Sequence, residues 1–455
     1  MTYSLYPHQE MMVNWMTERR ANGLDYGGIF AETGTGKSLT VLDFAMSQEF
    51  KRILVLSPPS SLDATWRNEV DRFTYYNPVI LSGPVKKRIE TLREIYTQEN
   101  VVVATNYEAI INPDFLKALC CSKFDVCFAD ESTFFKNPKI RKSKRTKAMY
   151  ELAKYIQCRY AMSGTPAPNG MQDYFSQMRF LSKDILGENY YRFESEYFFK
   201  SGFQGYELKI TPENEKKMLE KIKAHSVTVR KQDVLKDLPD NTNIIMHYHL
   251  TPKEEKAYKA MKKDFLIPFE SGDVTAGQAA TQLLKLRQVT SSFIYNEDKE
   301  VVKLEKKMGK LSVLDEIRDK VGDDKIIIWV SFIHEGEEIA KHLGVDYFSN
   351  VSEKKRNKIL DDFQNGDLQY LVAHPKSLGY SVTLTSCNTN VYFSVDYDHL
   401  VHSQSIARVY RNGQKRKTFN YYILGKGTVD EAVYNTLQGK GDAADFMANF
   451  LKEDI

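Results

Sequence analysis

The 455-residue chain holds no run of eighteen uninterrupted apolar residues, so a membrane-spanning helix is not expected. Its first ten residues, Met1 to Glu10, lack a basic region followed by an apolar one, so no secretory leader is expected. Cysteines are few: Cys120, Cys121, Cys127, Cys158 and Cys387. They lack paired metal-ligand spacing, and several stand in apolar stretches. This argues against a zinc site or a disulfide framework, and reads as buried reduced thiols in a cytosol-like compartment. Excess charge is missing too. The 63 basic and 60 acidic residues leave a formal net charge of +3. That is too little to establish a nucleic-acid partner, although local patches can still bind phosphates. No short-period repeat and no low-complexity linker is present.

What is present is ordinary globular material. Hydrophobic residues make up 42% and charged residues 27%, which excludes a wholly disordered or collagen-like chain. At about 150 residues per domain the length suggests roughly three domains, with two or four also fitting. Apolar runs at 29–31, 53–56, 101–104 and 126–129 read as buried parallel strands between amphipathic helices. The pattern returns at 326–330, 370–373, 391–394 and 421–424. Such alternation predicts an α/β chain with two doubly wound parallel-sheet lobes, at 1–184 and 305–430. Residues 185–304 have few β-branched runs and read as a mostly helical insertion and connector, with helical spacing at 252–268 and 277–288. Residues 431–455 read as a short helical tail.

The strongest local signal is Ala31-Glu32-Thr33-Gly34-Thr35-Gly36-Lys37-Ser38, between an apolar strand and a helical stretch. It fits a phosphate-binding loop. Glycines let backbone N–H groups turn onto phosphate oxygens, and the helix N-terminus adds free donors. Lys37 is expected to reach the β- and γ-phosphates, and the Ser38 hydroxyl to ligand Mg²⁺. Thr33, Gly34, Thr35 and Gly36 complete the cradle. Asp130-Glu131 leaves the strand at 126–129. There Asp130 would hold Mg²⁺ through water, and Glu131 would orient or deprotonate the attacking water.

Together these motifs resemble a superfamily 2 helicase-type motor, most of all its Swi/Snf-type translocase branch, across almost the whole chain. The resemblance implies two RecA-like lobes. Leu5-Tyr6-Pro7-His8-Gln9 with Trp15 resembles the adenine-reading motif, which makes Gln9 an adenine contact; an amide can pair bidentately with the adenine edge. Ser57-Pro58-Pro59 with Trp66 and Glu69 resembles the motif that tracks the DNA backbone, and Thr105-Asn106-Tyr107-Glu108 the one after it. Asp130-Glu131-Ser132-Thr133 with Lys136-Asn137 resembles the acidic box, with Thr133 where the family often carries His. Ser163-Gly164-Thr165-Pro166 with Asn169 resembles the motif that couples hydrolysis to lobe movement. Arg230-Lys231 through Leu238-Pro239 resembles an Arg-rich segment, Leu286-Arg287-Gln288 a helix between the lobes, and Gly309-Lys310-Leu311 the start of the second lobe. Lys376 to Thr385, around Gly379, resembles a glycine-rich loop, with Leu378 and Ser381 replacing two of its glycines.

Gln404-Ser405-Ile406-Ala407-Arg408-Val409-Tyr410-Arg411-Asn412-Gly413-Gln414 resembles the branch's Gln-x-x-x-Arg-x-x-Arg-x-Gly-Gln motif. Arg408 and Arg411, three apart, are expected to share a helical face. The resemblance implies that they stabilise charge on the γ-phosphate held by Lys37, and that Gly379 and Gln404 belong to the nucleotide site.

The basic run Lys136, Lys139, Arg141, Lys142, Lys144, Arg145 and Lys147 reads either as a solvated face or as a phosphate-tracking surface. The aromatic run at 196–206 reads either as base stacking or as core packing. The expectation is therefore a monomeric DNA-dependent ATPase using ATP and Mg²⁺. It would translocate along duplex or branched DNA without sequence preference, remodelling DNA or displacing bound proteins. A strand-separating or annealing helicase, an ATP-regulated scaffold without turnover, and RNA as a partner stay open. Coupling or DNA tracking falls to Pro58, Thr105, Lys136, Arg141, Ser163, Gly164 and Thr165. The expected setting is a bacterial cytoplasm, or a host cytoplasm for a phage protein.

Overall fold

A computed structural model describes residues 3–201, 207–234, 238–270, 276–378 and 382–438. The chain divides into two compact units, one running to residue 237 and the other from residue 238 onward.

The first unit is built on seven strands: β1 (Tyr26–Ala31), β2 (Arg52–Leu56), β3 (Asn77–Ile80), β4 (Val101–Thr105), β5 (Val126–Ala129), β6 (Cys158–Met162) and, after a β7 (Phe198–Ser201) and β8 (Glu207–Ile210) antiparallel hairpin, β9 (Ser226–Val229). All pairings in its sheet are parallel, in the order β3-β4-β2-β5-β6-β1-β9. Side chains alternate across the sheet. Leu54, Val103 and Cys127 enter one buried cluster, while Ile53, Val55, Val102 and Phe128 enter the other. Helices cover both faces, so the central strands read as continuous apolar runs.

The second unit holds β10 (Asn241–Tyr248), a β11 (Phe293–Tyr295) and β12 (Val301–Lys303) antiparallel pair, and β13 (Ile326–Trp329), β14 (Tyr370–Ala373), β15 (Thr389–Tyr392) and β16 (Thr418–Gly425). Its main sheet runs β10-β16-β15-β13-β14, again parallel throughout. The two doubly wound sheets match the fold expected from the alternation.

Residues 185–304 are not a separate helical insertion. The first part completes the first unit: Phe193, Tyr197, Phe198, Met218 and Ile222 are buried in its core, and β9 pairs with β1 from Gly28↔Ser226 onward. The later part opens the second unit, where β10 pairs with β16 over eight residues from Asn241↔Thr418. The helices Pro252–Glu270 and Ala276–Val289 agree with the expected spacing. β10 escaped the sequence reading because it is an edge strand. Its exposed positions, Asn241, Asn243, Ile245 and His247, are mostly polar, and its pairing partner lies far away in the chain. Of the aromatic run, Tyr197 and Phe198 pack in the core, Phe199 is half exposed, and residues 202–206 lie outside the described ones. Of the tail, the helix Val429–Leu437 is described and residues 439–455 are not.

Cys127, Cys158 and Cys387 are buried and free, and burial pushes all three thiols up to about 12. Cys121 departs from the expected burial. It is exposed at the end of the helix Pro113–Cys121, while Cys120 is half buried. No helix among the described residues is long and apolar enough to cross a membrane.

The Leu-Arg-Gln segment and Lys310 belong to the second unit. Leu286, Arg287 and Gln288 are buried, and Arg287 donates to Val395 O and pairs with Asp396 at 3.5 Å. Lys310 is fully buried and meets Asp430 at 2.6 Å, and Asp430 also accepts from the Thr290 hydroxyl at 3.0 Å and Gly425 N–H at 3.0 Å. Removing one partner of such a pair strands a buried charge. Asp430→Ala is therefore expected to destabilise the second unit by about 3–5 kcal/mol. Urea unfolding followed through hydrogen exchange of the β15 and β16 amides checks this; an unchanged midpoint would contradict it.

Candidate nucleotide site

Order in the first sheet explains how distant residues meet. β6 lies between β5 and β1, so three loops leave neighbouring strands on one edge: the 32–36 loop after β1, Asp130-Glu131 after β5, and Ser163-Gly164-Thr165 after β6. In open parallel sheets ligands bind in the crevice at the carboxyl ends of the strands.

Gly34 (φ +89°) and Gly36 (φ +82°) take left-handed conformations that the turn requires. Gly36 also needs its missing side chain for a second reason. A Cβ there would fall 2.2 Å from Gln9 Nε2. Lys37 is buried at the start of the helix Lys37–Ser47, and its Nζ donates to Ala31 O at 2.6 Å and Glu32 O at 3.3 Å. These donors are already folded back over the cradle. The Thr35 hydroxyl donates to Glu32 O at 2.8 Å. Gly164 stands against the loop: a Cβ at this position would lie 3.0 Å from the Thr33 hydroxyl. The Thr35 carbonyl lies 2.9 Å from His8 Nε2, and Gln9 Nε2 donates to Gly36 O at 3.2 Å. Gln9 Oε1 accepts from Tyr6 N–H at 2.8 Å. Gln9 therefore braces the phosphate loop. His8, which stands beside Gln9 in the same motif but was given no role there, does the same.

Asp130 is buried. Its Oδ2 accepts from the Ser57 hydroxyl (2.9 Å) and Trp66 Nε1–H (3.1 Å), its Oδ1 from Glu131 N–H (3.1 Å), and its main-chain oxygen from the Tyr107 hydroxyl (2.6 Å). Glu131 holds a left-handed backbone, φ +49° and ψ 55°. For a residue with a Cβ this costs of order 1–3 kcal/mol, and such conformations cluster at functional sites. Thr165 N–H donates to the Ser163 hydroxyl at 3.1 Å. Ser132 donates to Gln177, whose amide donates to Pro166 O at 2.6 Å, tying the acidic box to the β6 loop. Lys136 pairs with Asp173 at 3.3 Å. Burial raises the Asp173 carboxyl above its ordinary range, against the opposing pull of Asn169 N–H and Lys136.

Several expected contacts sit differently. Pro58 and Thr105 are buried; the Thr105 hydroxyl donates to Leu81 O at 3.3 Å and accepts from Arg88 at 2.9 Å. Both side chains are turned into the first unit. Arg141 is exposed, as are Lys139, Lys142, Lys144 and Lys147, while Arg145 pairs with Glu108 at 3.3 Å.

In the second unit the helix His399–Val409 carries Gln404 and Arg408, both buried; Arg408 donates to Val382 O at 3.3 Å. The helix is anchored to its sheet. A ring nitrogen of His402 lies 3.1 Å from the Tyr422 hydroxyl, and the Tyr392 and Ser405 hydroxyls are 2.7 Å apart. Burial pushes the His402 imidazole down to about 4, which keeps it neutral near pH 7. The expectation that Arg408 and Arg411 share a helical face fails. The helix ends at Val409, Tyr410 turns out of the helical region at φ −86° and ψ 82°, and half-buried Arg411 lies in the following turn. Gly413, at φ +95°, completes that turn. Gly379 lies outside the described residues.

Oxygen donors fit Mg²⁺, a hard cation usually held by one or two protein oxygens together with substrate phosphates. The Asp130 carboxylate and Ser38 hydroxyl supply such donors at the ends of β5 and of the phosphate loop. Among the described residues no group of three or more His, Cys, Asp or Glu could hold a metal alone. The buried hydroxyls of Thr133 and Thr165, on the loops after β5 and β6, have no hydrogen-bond partner. They add polar capacity there.

Sequence comparison matches residues 8–308 to the SNF2-related domain and residues 309–413 to the helicase conserved C-terminal domain. The chain is 26% identical to protein p41 of Acyrthosiphon pisum secondary endosymbiont phage 1, covering 99% of each. It is also 26% identical to an ATP-dependent helicase of Mycoplasma pneumoniae, covering 99% of this chain but 42% of that protein. With the RAD54-like DNA repair and recombination protein of Danio rerio it shares 27% identity over 94% of this chain and 65% of the other. Among solved structures, the Sulfolobus solfataricus SWI2/SNF2 ATPase core in complex with dsDNA is 25% identical, covering 99% of this chain and 94% of that one with a TM-score of 0.46.

Proposed function

The chain belongs to the SNF2-related family, and on that premise we propose that it is a DNA-stimulated ATP hydrolase that steps along duplex DNA, remodelling DNA structures or displacing bound proteins. The observation that carries this reading is the convergence at one sheet edge of the phosphate loop, the acidic pair and Gly164. Phosphate binding falls to the backbone of 33–36 and to Lys37, whose Nζ would exchange the Ala31 and Glu32 carbonyls for phosphate oxygens. Gln9 would add an adenine contact. Ser38 and Asp130 would hold Mg²⁺, which supplies charge neutralisation at the phosphates when bound. Glu131 would orient the attacking water and accept its proton. Arg408, Arg411 and Gln404 of the second unit are assigned to the same reaction on the family resemblance, and Gly379 with them. The motif around Ser163 and Thr165, which reaches the acidic box through Gln177, would couple hydrolysis to movement.

The exposed cations Lys139, Arg141, Lys142, Lys144 and Lys147 are the proposed surface for DNA phosphates, without base reading and with affinity that falls as salt rises. The proposed setting is a bacterial cytoplasm, or a host cytoplasm for a phage protein, in keeping with the phage and mycoplasma relatives.

Phosphate release measured with duplex, branched and single-stranded DNA and with RNA tests the proposal; hydrolysis indifferent to every nucleic acid would reject it. Triplex displacement beside unwinding of tailed and forked duplexes then separates translocation from strand separation. Lys37→Ala is expected to abolish nucleotide binding or turnover. Retained DNA-stimulated hydrolysis in that variant would contradict the assignment.

A further inference from the structure

The segment from Ser57 to Glu69 resembles a DNA-tracking motif, yet two of its polar side chains point inward. Ser57 and Trp66 are both fully buried. Trp66 Nε1–H reaches Asp130 Oδ2 and the Ser57 hydroxyl oxygen, each at 3.1 Å, and the Ser57 hydroxyl donates to the same Oδ2 at 2.9 Å. One carboxylate oxygen is thus held by two donors from outside its own loop, while Oδ1 receives the neighbouring Glu131 N–H. An ionised carboxylate has about four acceptor sites, so Oδ1 keeps capacity for a cation or its water.

Trp66 lies in a π-helical turn, Leu62–Arg67. Such turns are rare and collect at functional sites. Here the turn sets an indole N–H, of all groups, against a buried carboxylate. An indole N–H can only donate, so it pins the acceptor oxygen it meets in one place.

We infer that Trp66, assisted by Ser57, is a positioning residue that fixes the Asp130 carboxylate for Mg²⁺. The inference rests on reading Asp130 as the metal-holding residue. Groups that orient a metal ligand typically change metal affinity by 10–100-fold when removed.

The test is Mn²⁺ binding to the full-length protein with ADP present, followed by electron paramagnetic resonance, with cooperative thermal unfolding as the check on fold. Trp66→Phe keeps the ring and deletes the donor; it is expected to weaken Mn²⁺ roughly tenfold or more. Ser57→Ala is expected to weaken it in the same direction by less, and it decides the question should Trp66→Phe not fold. Trp66→His, with a ring N–H of its own, is expected to recover part of the loss. A Trp66 that only fills the core would lower the melting temperature and leave Mn²⁺ affinity alone. Parental Mn²⁺ affinity in folded Trp66→Phe and Ser57→Ala, beside a loss in Asp130→Asn, overturns this inference and keeps Asp130. Parental affinity in Asp130→Asn removes the Asp130 reading itself, and the inference with it.

Discussion

Arg411→Ala is expected to lower DNA-stimulated ATP hydrolysis by about 10³–10⁵, the range associated with an arginine that stabilises phosphoryl-transfer charge. ATP affinity should change far less. The turn that carries Arg411 is held by main-chain bonds: Arg411 N–H donates to Val409 O at 3.2 Å, and Arg411 O accepts Gln414 N–H at 3.0 Å. Gln414 in turn donates to Cys387 O at 2.7 Å. Truncating the side chain therefore leaves the backbone anchored. Arg408 is the poorer probe, because it is buried and bonded to Val382 O, so its removal also disturbs packing. Single-turnover phosphate release beside titration with a fluorescent ATP analogue reads both quantities. Equal loss of binding and turnover would assign Arg411 a structural role. Arg411→Lys should recover little, because an ammonium lacks the planar fork of a guanidinium.

Glu131→Gln is expected to reduce hydrolysis by about 10²–10⁴ while ATP still binds, the usual contribution of a positioned general base. The substitution keeps the side-chain shape, and its left-handed backbone is strained equally for Glu and Gln. Lost turnover would therefore report the carboxylate and not a rearranged loop. Retention of ATP without hydrolysis, seen by filter binding and product analysis, is the signature. Near-normal turnover would remove Glu131 from this role.

The contrast between these two arginines shows where sequence reading stops. A spacing of three places two residues on one face only while the helix continues. The helix His399–Val409 ends between them, and that end depends on Tyr410 and on the glycine turn at Gly413. The phosphate loop raised no such difficulty. Its glycines, lysine and hydroxyl residue are contiguous, and its shape follows from local backbone geometry. The central strands were legible for a similar reason: burial on both faces writes an uninterrupted apolar run. β10 is legible only through its partner, β16, almost two hundred residues later, because an edge strand with one solvent-facing side carries mixed residues. The break between units at 237 and 238 follows from that pairing, whereas the family match changes domain at 308 and 309. Residues 238–308 thus match the first family domain and pack with the second unit.

By itself, the order of residues determined the α/β class and the family, and it put forward the phosphate loop and the acidic pair, because each depends on neighbours in the chain. Only the tertiary structure decided that His8 and Gln9 brace the loop, that Trp66 and Ser57 grip Asp130, and that Gly164 rests on Thr33. Those contacts arise when strands distant in sequence become adjacent in a sheet, and adjacency of that kind is set by burial of the whole core and not by any short stretch of it.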